Sequence, residues 1–141
     1  MPRHQVKIEH RFTSDPDTVF AFFADHEQFG RLWPGRTRRI ATGQDDPNGI
    51  GSVREIRLGP VRFEETVVSF QRPHLIEYTV TKGSPIKNHH GRIEFHPDGD
   101  GCRIDYRIVF DGRFPLIGGL VARNLPRDFV AGLAAVGADL R

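Results

Sequence analysis

The stretch Ile117-Gly-Gly-Leu-Val-Ala-Arg-Asn-Leu-Pro-Arg-Asp-Phe-Val-Ala-Gly-Leu-Ala-Ala-Val-Gly-Ala-Asp-Leu140 decides the fold of this chain, because it is the only long helical pattern in it. Apolar residues recur there at spacings of three and four, which predicts an amphipathic helix of about 20 residues or more. They are Ile117, Leu120, Val121, Leu125, Phe129, Leu133, Val136 and Leu140. Pro126 lies inside the pattern and predicts a kink or a restart of the helix.

The residues before this helix alternate as β-strands do. Val6, Ile8, His10 and Phe12 have period two, which is typical of a half-buried strand. Gly and Pro residues then separate six further predicted strands. These are 36–43, 50–58, 61–71, 74–82, 86–96 and 101–111. Their connections are too short for parallel crossovers, so the sequence predicts antiparallel neighbours.

A helical segment follows the first strand. Either Asp15 caps it with Pro16 at its first position, or Ser14 caps it with Asp17 three residues later. The segment extends to about Trp33 and is expected to break near Asp25–Glu27.

The predicted order is strand, helical pair, six strands and long helix, which indicates one α+β domain over residues 1–141. An antiparallel sheet buries one face, and the C-terminal helix is the only element long enough to cover it. A curved sheet of about seven strands closing on one helix leaves a gap between them. We expect that gap to be an apolar ligand cavity wherever large side chains do not fill it.

Composition excludes several classes of protein. The net charge of +2 comes from 20 Lys and Arg against 18 Asp and Glu, without a one-sided basic patch, so we expect no nucleic-acid partner. The densest basic cluster is Arg31, Arg36, Arg38 and Arg39. The single cysteine, Cys102, cannot form an internal disulfide. Without a signal-peptide pattern or an apolar run of about 18 residues, we expect a soluble cytoplasmic protein with no stable membrane insertion.

Neither a metal nor a cofactor is expected. His89 and His90 are adjacent on a predicted strand, so they point to opposite faces and cannot both bind one ion. The other five histidines are dispersed: His4, His10, His26, His74 and His96. The sequence contains no glycine-rich phosphate loop.

Five stretches together resemble the helix-grip fold of the START-like (SRPBCC) superfamily, and most closely its polyketide cyclase/dehydrase-like branch. They are Ser14–Phe20, Asp25–Gly35, Gly49–Arg54, Pro73–Tyr78 and Gly99–Ile104. The resemblance implies a curved sheet around the C-terminal helix. It also implies a cavity that binds a small hydrophobic ligand of aromatic or polyketide, acyl or isoprenoid type. Two alternatives stay open: a polyketide cyclase, aromatase or dehydrase, and a protein-interaction module such as a chaperone regulator.

Three residues are the candidate catalytic groups: His89, Tyr78 and Glu65. His89 shares a strand face with Ile93 and Phe95, so it is expected to point inward, where it is either a general acid or base or a core hydrogen-bonding group. A one-residue bulge would exchange it for His90. Glu65 shares a face with Phe63, and its expected partner is Arg54 or an inward histidine; an exposed ion pair is the alternative.

The predicted ligand contacts combine inward polar groups with apolar walls. They are Phe23, Trp33, Tyr78, His89, Tyr106, Phe110, Leu120, Asn124 and Phe129. The two tyrosine hydroxyls need partners, either a ligand oxygen or a backbone carbonyl. Trp33, Phe23 and Phe29 form either a gate or plain core, and Asn124 is either a cavity group or an exposed one.

The apolar stretch Phe114–Gly119 precedes the last helix and looks like a flexible entrance to the cavity. An exposed apolar segment of this kind also leaves a homodimer or membrane contact open.

Overall fold

The predicted strands form one seven-stranded antiparallel sheet in the computed structural model, which describes residues 4–83, 85–112 and 116–140. The elements are β1 (His4–Phe12), α1 (Pro16–Ala24), α2 (His26–Gly30), β2 (Arg36–Ala41), β3 (Val53–Leu58), β4 (Val61–Gln71), β5 (Leu75–Lys82), β6 (Ile86–Asp98), β7 (Gly101–Gly112), α3 (Ile117–Val136) and a closing 3₁₀ turn (Gly137–Leu140). The strand order β1-β7-β6-β5-β4-β3-β2 confirms the α+β helix-grip fold.

Aspartate side chains cap the N-termini of the two short helices and so fix where they begin. The Asp15 side chain accepts a hydrogen bond from the Thr18 backbone N–H at 2.8 Å, with Pro16 in the first turn, so the Asp15 cap is the correct one of the two alternatives. Asp25 ends α1 and caps α2, because its carboxylate accepts from the backbone N–H groups of Glu27 and Gln28. The predicted break near Asp25–Glu27 is therefore confirmed.

Helix α3 is continuous from Ile117 to Val136, so Pro126 does not restart it. Proline removes one backbone donor, but burial of Phe129, Gly132 and Val136 on the following turns holds the helix in place. A Cβ on Gly132 would lie 2.2 Å from the Leu32 carbonyl oxygen. Glycine thus allows α3 to approach the segment after α2 closely.

Phenylalanine fills one end of the space between sheet and helices. The Phe23 ring lies 5.7 Å from Phe95 and 6.1 Å from Phe12, centroid to centroid, while Phe20 lies 5.0 Å from Phe95. These edge-on contacts are typical of a dense aromatic core. Most of the phenylalanine content is thus core, and the remaining space lies elsewhere between the layers.

No helix within residues 4–83, 85–112 and 116–140 is both long and apolar enough to cross a membrane.

Tyr78 occupies a space that only glycine leaves open on the neighbouring strand. It pairs with Gly91, and a Cβ at Gly91 would lie 2.3 Å from the Tyr78 ring. The missing side chain therefore lets the buried Tyr78 ring lie over β6.

We expect Gly91→Ala to lower the free energy of unfolding by about 1–3 kcal/mol, because the added methyl group overpacks this contact. Urea denaturation measures the change. Gly119→Ala is the matched control: nothing lies within 4 Å of its Cβ position on α3, so it should be neutral or stabilising by at most about 1 kcal/mol. Equal effects of the two substitutions would contradict this packing.

Candidate functional site

A cavity of about 240 Å³ lies between the inner face of the sheet and helices α2 and α3. Most of its wall is apolar, and the exposed wall residues Pro34 and Val61 mark its opening. The lining residues are Phe29, Trp33, Pro34, Thr37, Ile56, Leu58, Val61, Phe63, Glu65, Tyr78, Pro85, Ile86, His89, Tyr106, Ile108, Val121, Leu125 and Asp128.

Strand alternation explains which side chains reach the cavity. Val61, Phe63 and Glu65 follow one another at period two on β4, and Tyr106 and Ile108 do so on β7. On α3 the wall residues Val121, Leu125 and Asp128 are spaced by four and three, which is one helical face.

Five of the predicted catalytic and ligand-contact residues line this cavity together. They are Trp33, Glu65, Tyr78, His89 and Tyr106. The structure therefore brings all three candidate catalytic groups to one cavity. Phe29, the third member of the suggested gate, also lies in the wall.

Five predicted ligand contacts lie elsewhere. Phe23, Phe110 and Phe129 are at most 1 % exposed and belong to the core cluster behind the wall. Phe129, for example, packs 5.8 Å from Trp33 and 6.1 Å from Tyr106, between ring centroids. Strand alternation for Phe110, like helical spacing for Phe23 and Phe129, assigns a residue to an inward face, but the depth that it reaches depends on its neighbours.

The other two of the five lie on α3 and do not reach the cavity. Leu120 is 55 % exposed, and Asn124 is exposed as well. Both are rotated to one side of the stripe formed by Val121, Leu125 and Asp128, so they do not contribute to the wall.

The expected apolar entrance, Phe114–Gly119, lies partly outside the described residues, which omit 113–115. Its described part includes Leu116, which is 90 % exposed, at the start of α3.

A buried ion pair stands at the polar end of the cavity. The Arg54 Nε atom donates to Glu65 Oε1 at 2.6 Å, across the β3–β4 pairing. The guanidinium lies between two rings, 4.1 Å from the Phe29 centroid and 4.4 Å from the Tyr78 centroid. The prediction that Arg54 partners Glu65 is confirmed, and the alternative of an exposed pair is wrong.

His89 points inward as predicted, and a strand irregularity lies just before it. The β6–β7 register shifts between Lys87 and His90, with Asn88 in the left-handed region at φ 53°. His89 is 7 % exposed, whereas His90 lies on the outer face and bonds Glu77. The bulge therefore does not exchange the two histidines.

One hydrogen bond fixes the tautomer of His89, and burial keeps its imidazole neutral. Its Nδ1 atom accepts from the Val80 backbone N–H at 3.2 Å, so the ring proton of the neutral imidazole is on Nε2. Burial lowers the pKa of His89, and the Glu65 carboxylate only partly opposes this effect. At neutral pH the side chain is thus an uncharged donor.

The two cavity tyrosines bond each other, hydroxyl to hydroxyl. This partner is neither the ligand oxygen nor the backbone carbonyl weighed from the sequence. Burial raises the pKa of both Tyr78 and Tyr106, with the Glu65 charge also raising that of Tyr78. Both phenols are therefore neutral at physiological pH.

A buried histidine that the sequence reasoning did not single out extends this network. His26 is 1 % exposed; its Nδ1 faces Arg54 Nη1 at 3.4 Å and its Nε2 faces Ser52 Oγ at 2.8 Å. Because arginine can only donate, Nδ1 accepts and Nε2 carries the proton. Burial, followed by the charges of Arg54 and Arg39, lowers the pKa of His26 to about 3.

One group among the described residues has metal-ligand chemistry: Glu94, His96 and Asp105, whose ligand atoms lie within 4.8 Å of one another. Its carboxylates are already paired, because Arg92 Nε contacts Glu94 at 2.9 Å and Arg103 Nη1 contacts Asp105 at 2.9 Å. Its members come from two paired strands, so the spacing of histidines along the sequence does not reveal this cluster.

The His26 network predicts acid sensitivity. The unfolded-state pKa is about 6.5 and the folded-state pKa about 3, so the unfolded state takes up a proton first as the pH falls. Between pH 7 and pH 5 the wild type should lose about 2 kcal/mol more unfolding free energy than His26→Gln, which keeps an N–H donor but does not titrate. Denaturant titrations at both pH values measure this difference.

The exposed His74 provides the control, since His74→Gln should keep the wild-type pH dependence. An unchanged pH dependence in His26→Gln would contradict the assignment.

Comparison with known proteins places the fold. The family model described as "Polyketide cyclase / dehydrase and lipid transport" matches residues 3–141. No curated protein matches the chain. A START superfamily protein from Mycobacterium smegmatis is similar with a TM-score of 0.74 at 16 % identity, covering 94 % of this chain and 92 % of that one.

Two other solved structures are also similar. Norcoclaurine synthase from Thalictrum flavum, solved with dopamine and hydroxybenzaldehyde, has a TM-score of 0.70 at 13 % identity, covering 96 % of this chain and 87 % of that one. A Rhizobium loti protein has a TM-score of 0.66 at 23 % identity, covering 94 % and 95 %. Likeness at these identities establishes the fold, and the family model spans almost the whole sequence. The chain therefore belongs to the polyketide cyclase / dehydrase and lipid transport family.

Proposed function

We propose that this protein binds a small hydrophobic molecule in the cavity between its sheet and α3. The observation that carries the proposal is the cavity itself, about 240 Å³ and walled by residues such as Phe29, Ile56 and Ile108. Apolar surface that leaves water on binding stabilises the complex by roughly 25 cal/mol per Å². A few polar groups at one end then orient the ligand, which is the usual construction of a small-molecule site.

The size of the cavity favours a compact ligand. A dry engineered cavity of about 150 Å³ in another protein accommodates benzene. A volume of 240 Å³ therefore suits one or two fused rings, or a short acyl or isoprenoid chain. Among the three ligand types expected, the aromatic one also fits the ring-lined wall of Phe29, Trp33 and Tyr106.

Membership of the family supports the proposal, since hydrophobic ligand binding is typical of it. The norcoclaurine synthase structure contains dopamine and hydroxybenzaldehyde, two single-ring compounds. Their size is in keeping with a one- or two-ring ligand in this chain.

A second candidate function is cyclisation or dehydration of the bound molecule. The observation favouring it is that Glu65 Oε2 and His89 Nε2 lie 4.0 Å apart in the cavity wall, a base and a donor within reach of one ligand. Analysis of the bound compound by mass spectrometry distinguishes the two functions. An unchanged mass with an unchanged fragmentation pattern supports binding alone, whereas a loss of water, or a fragmentation pattern altered by cyclisation at constant mass, supports catalysis.

The third alternative, a protein-interaction module, predicts a filled core. A cavity of 240 Å³ counts against it. The observation in favour of this alternative is a pair of exposed leucines: Leu116, at the N-cap of α3, and Leu120, in its first turn.

We expect Val121→Phe to weaken binding of 2-methylnaphthalene at least tenfold, because the larger ring enters the cavity from α3 and occupies ligand space. Isothermal titration calorimetry measures the affinity. The matched control is Val130→Phe on the same helix, where the side chain is 65 % exposed and affinity should not change. Equal affinity of the wild type and Val121→Phe would place the compound outside this cavity and contradict the proposal.

A further inference from the structure

The polar end of the cavity presents one donor and one acceptor that face each other without touching. His89 Nε2 and Glu65 Oε2 are 4.0 Å apart, which is too long for a hydrogen bond. Both residues lie in the cavity wall, and both side chains are at most 10 % exposed. Two complementary buried groups are thus held at a distance that a single bridging atom would close.

The donor is fixed by the backbone of the neighbouring strand. The Val80 N–H occupies His89 Nδ1, so the imidazole must present its N–H from Nε2. The His89 carbonyl is itself held by the Thr79 hydroxyl at 2.6 Å. Strand β5 therefore fixes both the tautomer and the position of the ring.

The acceptor is fixed by the ion pair. Arg54 Nε binds Glu65 Oε1, which leaves Oε2 on the side of His89. The Arg54 guanidinium is held in turn between the rings of Phe29 and Tyr78, so the carboxylate has little freedom to rotate toward the imidazole. The gap between Oε2 and Nε2 is consequently held open by the partners of both side chains.

We propose that the cavity selects a ligand with a neutral hydroxyl group, a phenol or an alcohol, whose oxygen binds between Glu65 Oε2 and His89 Nε2. An oxygen about 2.8 Å from both atoms fits this gap, and its two hydrogen bonds meet at roughly a right angle. The hydroxyl donates to the carboxylate and accepts from the imidazole. This inference rests on the proposed binding function and specifies its ligand.

Other polar groups satisfy only one side of the gap. A carbonyl or ether oxygen accepts from His89 but leaves the Glu65 oxygen without a donor. An ammonium group donates to Glu65 but meets the His89 N–H with another N–H. A carboxylate would repel Glu65. Among these groups only a hydroxyl combines donor and acceptor in one atom, and a buried site of this kind discriminates against analogues that leave its groups unpaired.

The test compares three ligands of nearly equal shape on the wild-type protein: 2-naphthol, 2-methylnaphthalene and 2-methoxynaphthalene. Hydrogen bonds to charged groups predict that 2-naphthol binds about 10- to 100-fold more tightly than 2-methylnaphthalene. The methoxy compound, which accepts but cannot donate, should gain less than threefold. Isothermal titration calorimetry provides all three dissociation constants without any variant.

A variant pair assigns the preference to this gap. His89→Phe keeps a ring of similar size but removes the donor, so the preference for 2-naphthol should fall severalfold, to what the bond to Glu65 alone supplies, while 2-methylnaphthalene still binds. His90→Phe is the control on the outer face, and it should keep the full preference.

The possible results separate the two proposals. Equal binding of the naphthol and methyl compounds to the wild type overturns the hydroxyl inference and leaves the binding function in place. A preference that is as large in His89→Phe as in the wild type also overturns the inference. Binding of none of the three compounds overturns the proposed function, and the hydroxyl inference with it.

Discussion

The buried ion pair between Arg54 and Glu65 is the interaction on which the polar end of this protein depends. The two side chains are 3 % and 10 % exposed and meet at 2.6 Å. A charge removed from water destabilises a fold by several kcal/mol unless a partner compensates it, so neither group is tolerable alone. The pair in turn positions its surroundings: Arg54 lies against the Phe29 and Tyr78 rings, contacts His26, and directs Glu65 toward His89.

The rest of the architecture follows from how the space between sheet and helices is filled. At one end Phe20 and Phe23 each pack edge-on against Phe95 and fill the space. At the other end the inward positions carry two tyrosines, which bond each other, together with His89 and Glu65, and a cavity is left between these groups and α3. The sequence thus divides a single interlayer space into a dense aromatic core and an apolar cavity with a polar end.

Much of this could be predicted from the sequence, because period-two alternation is a direct consequence of strand geometry. It correctly placed Glu65, His89 and Tyr106 on the inner face. Alternation does not report depth, however, so Phe110 on β7 was predicted as a ligand contact although it lies in the core behind the wall. On α3 the apolar stripe is evident from the sequence, but its rotation relative to the cavity depends on packing. The sequence therefore left open whether Asn124 faces the cavity, and the structure exposes it.

Contacts between strands that are not neighbours in the sheet could not be predicted from the sequence. Tyr78 on β5 bonds Tyr106 on β7 across the intervening β6, and that meeting depends on two strand registers and on the absence of a side chain at Gly91. His26 was missed for a similar reason, because its partners Ser52 and Arg54 lie 26 and 28 positions further along the chain.

The most direct test of this account is a double-mutant cycle on the unfolding free energy, with Arg54→Met, Glu65→Met and the double variant. If the pair organises the site, each single substitution leaves a buried charge and lowers stability by about 3–5 kcal/mol. The double variant, which buries no charge, should then lose less than either single variant. Single effects below about 1 kcal/mol that simply add in the double variant would contradict the account.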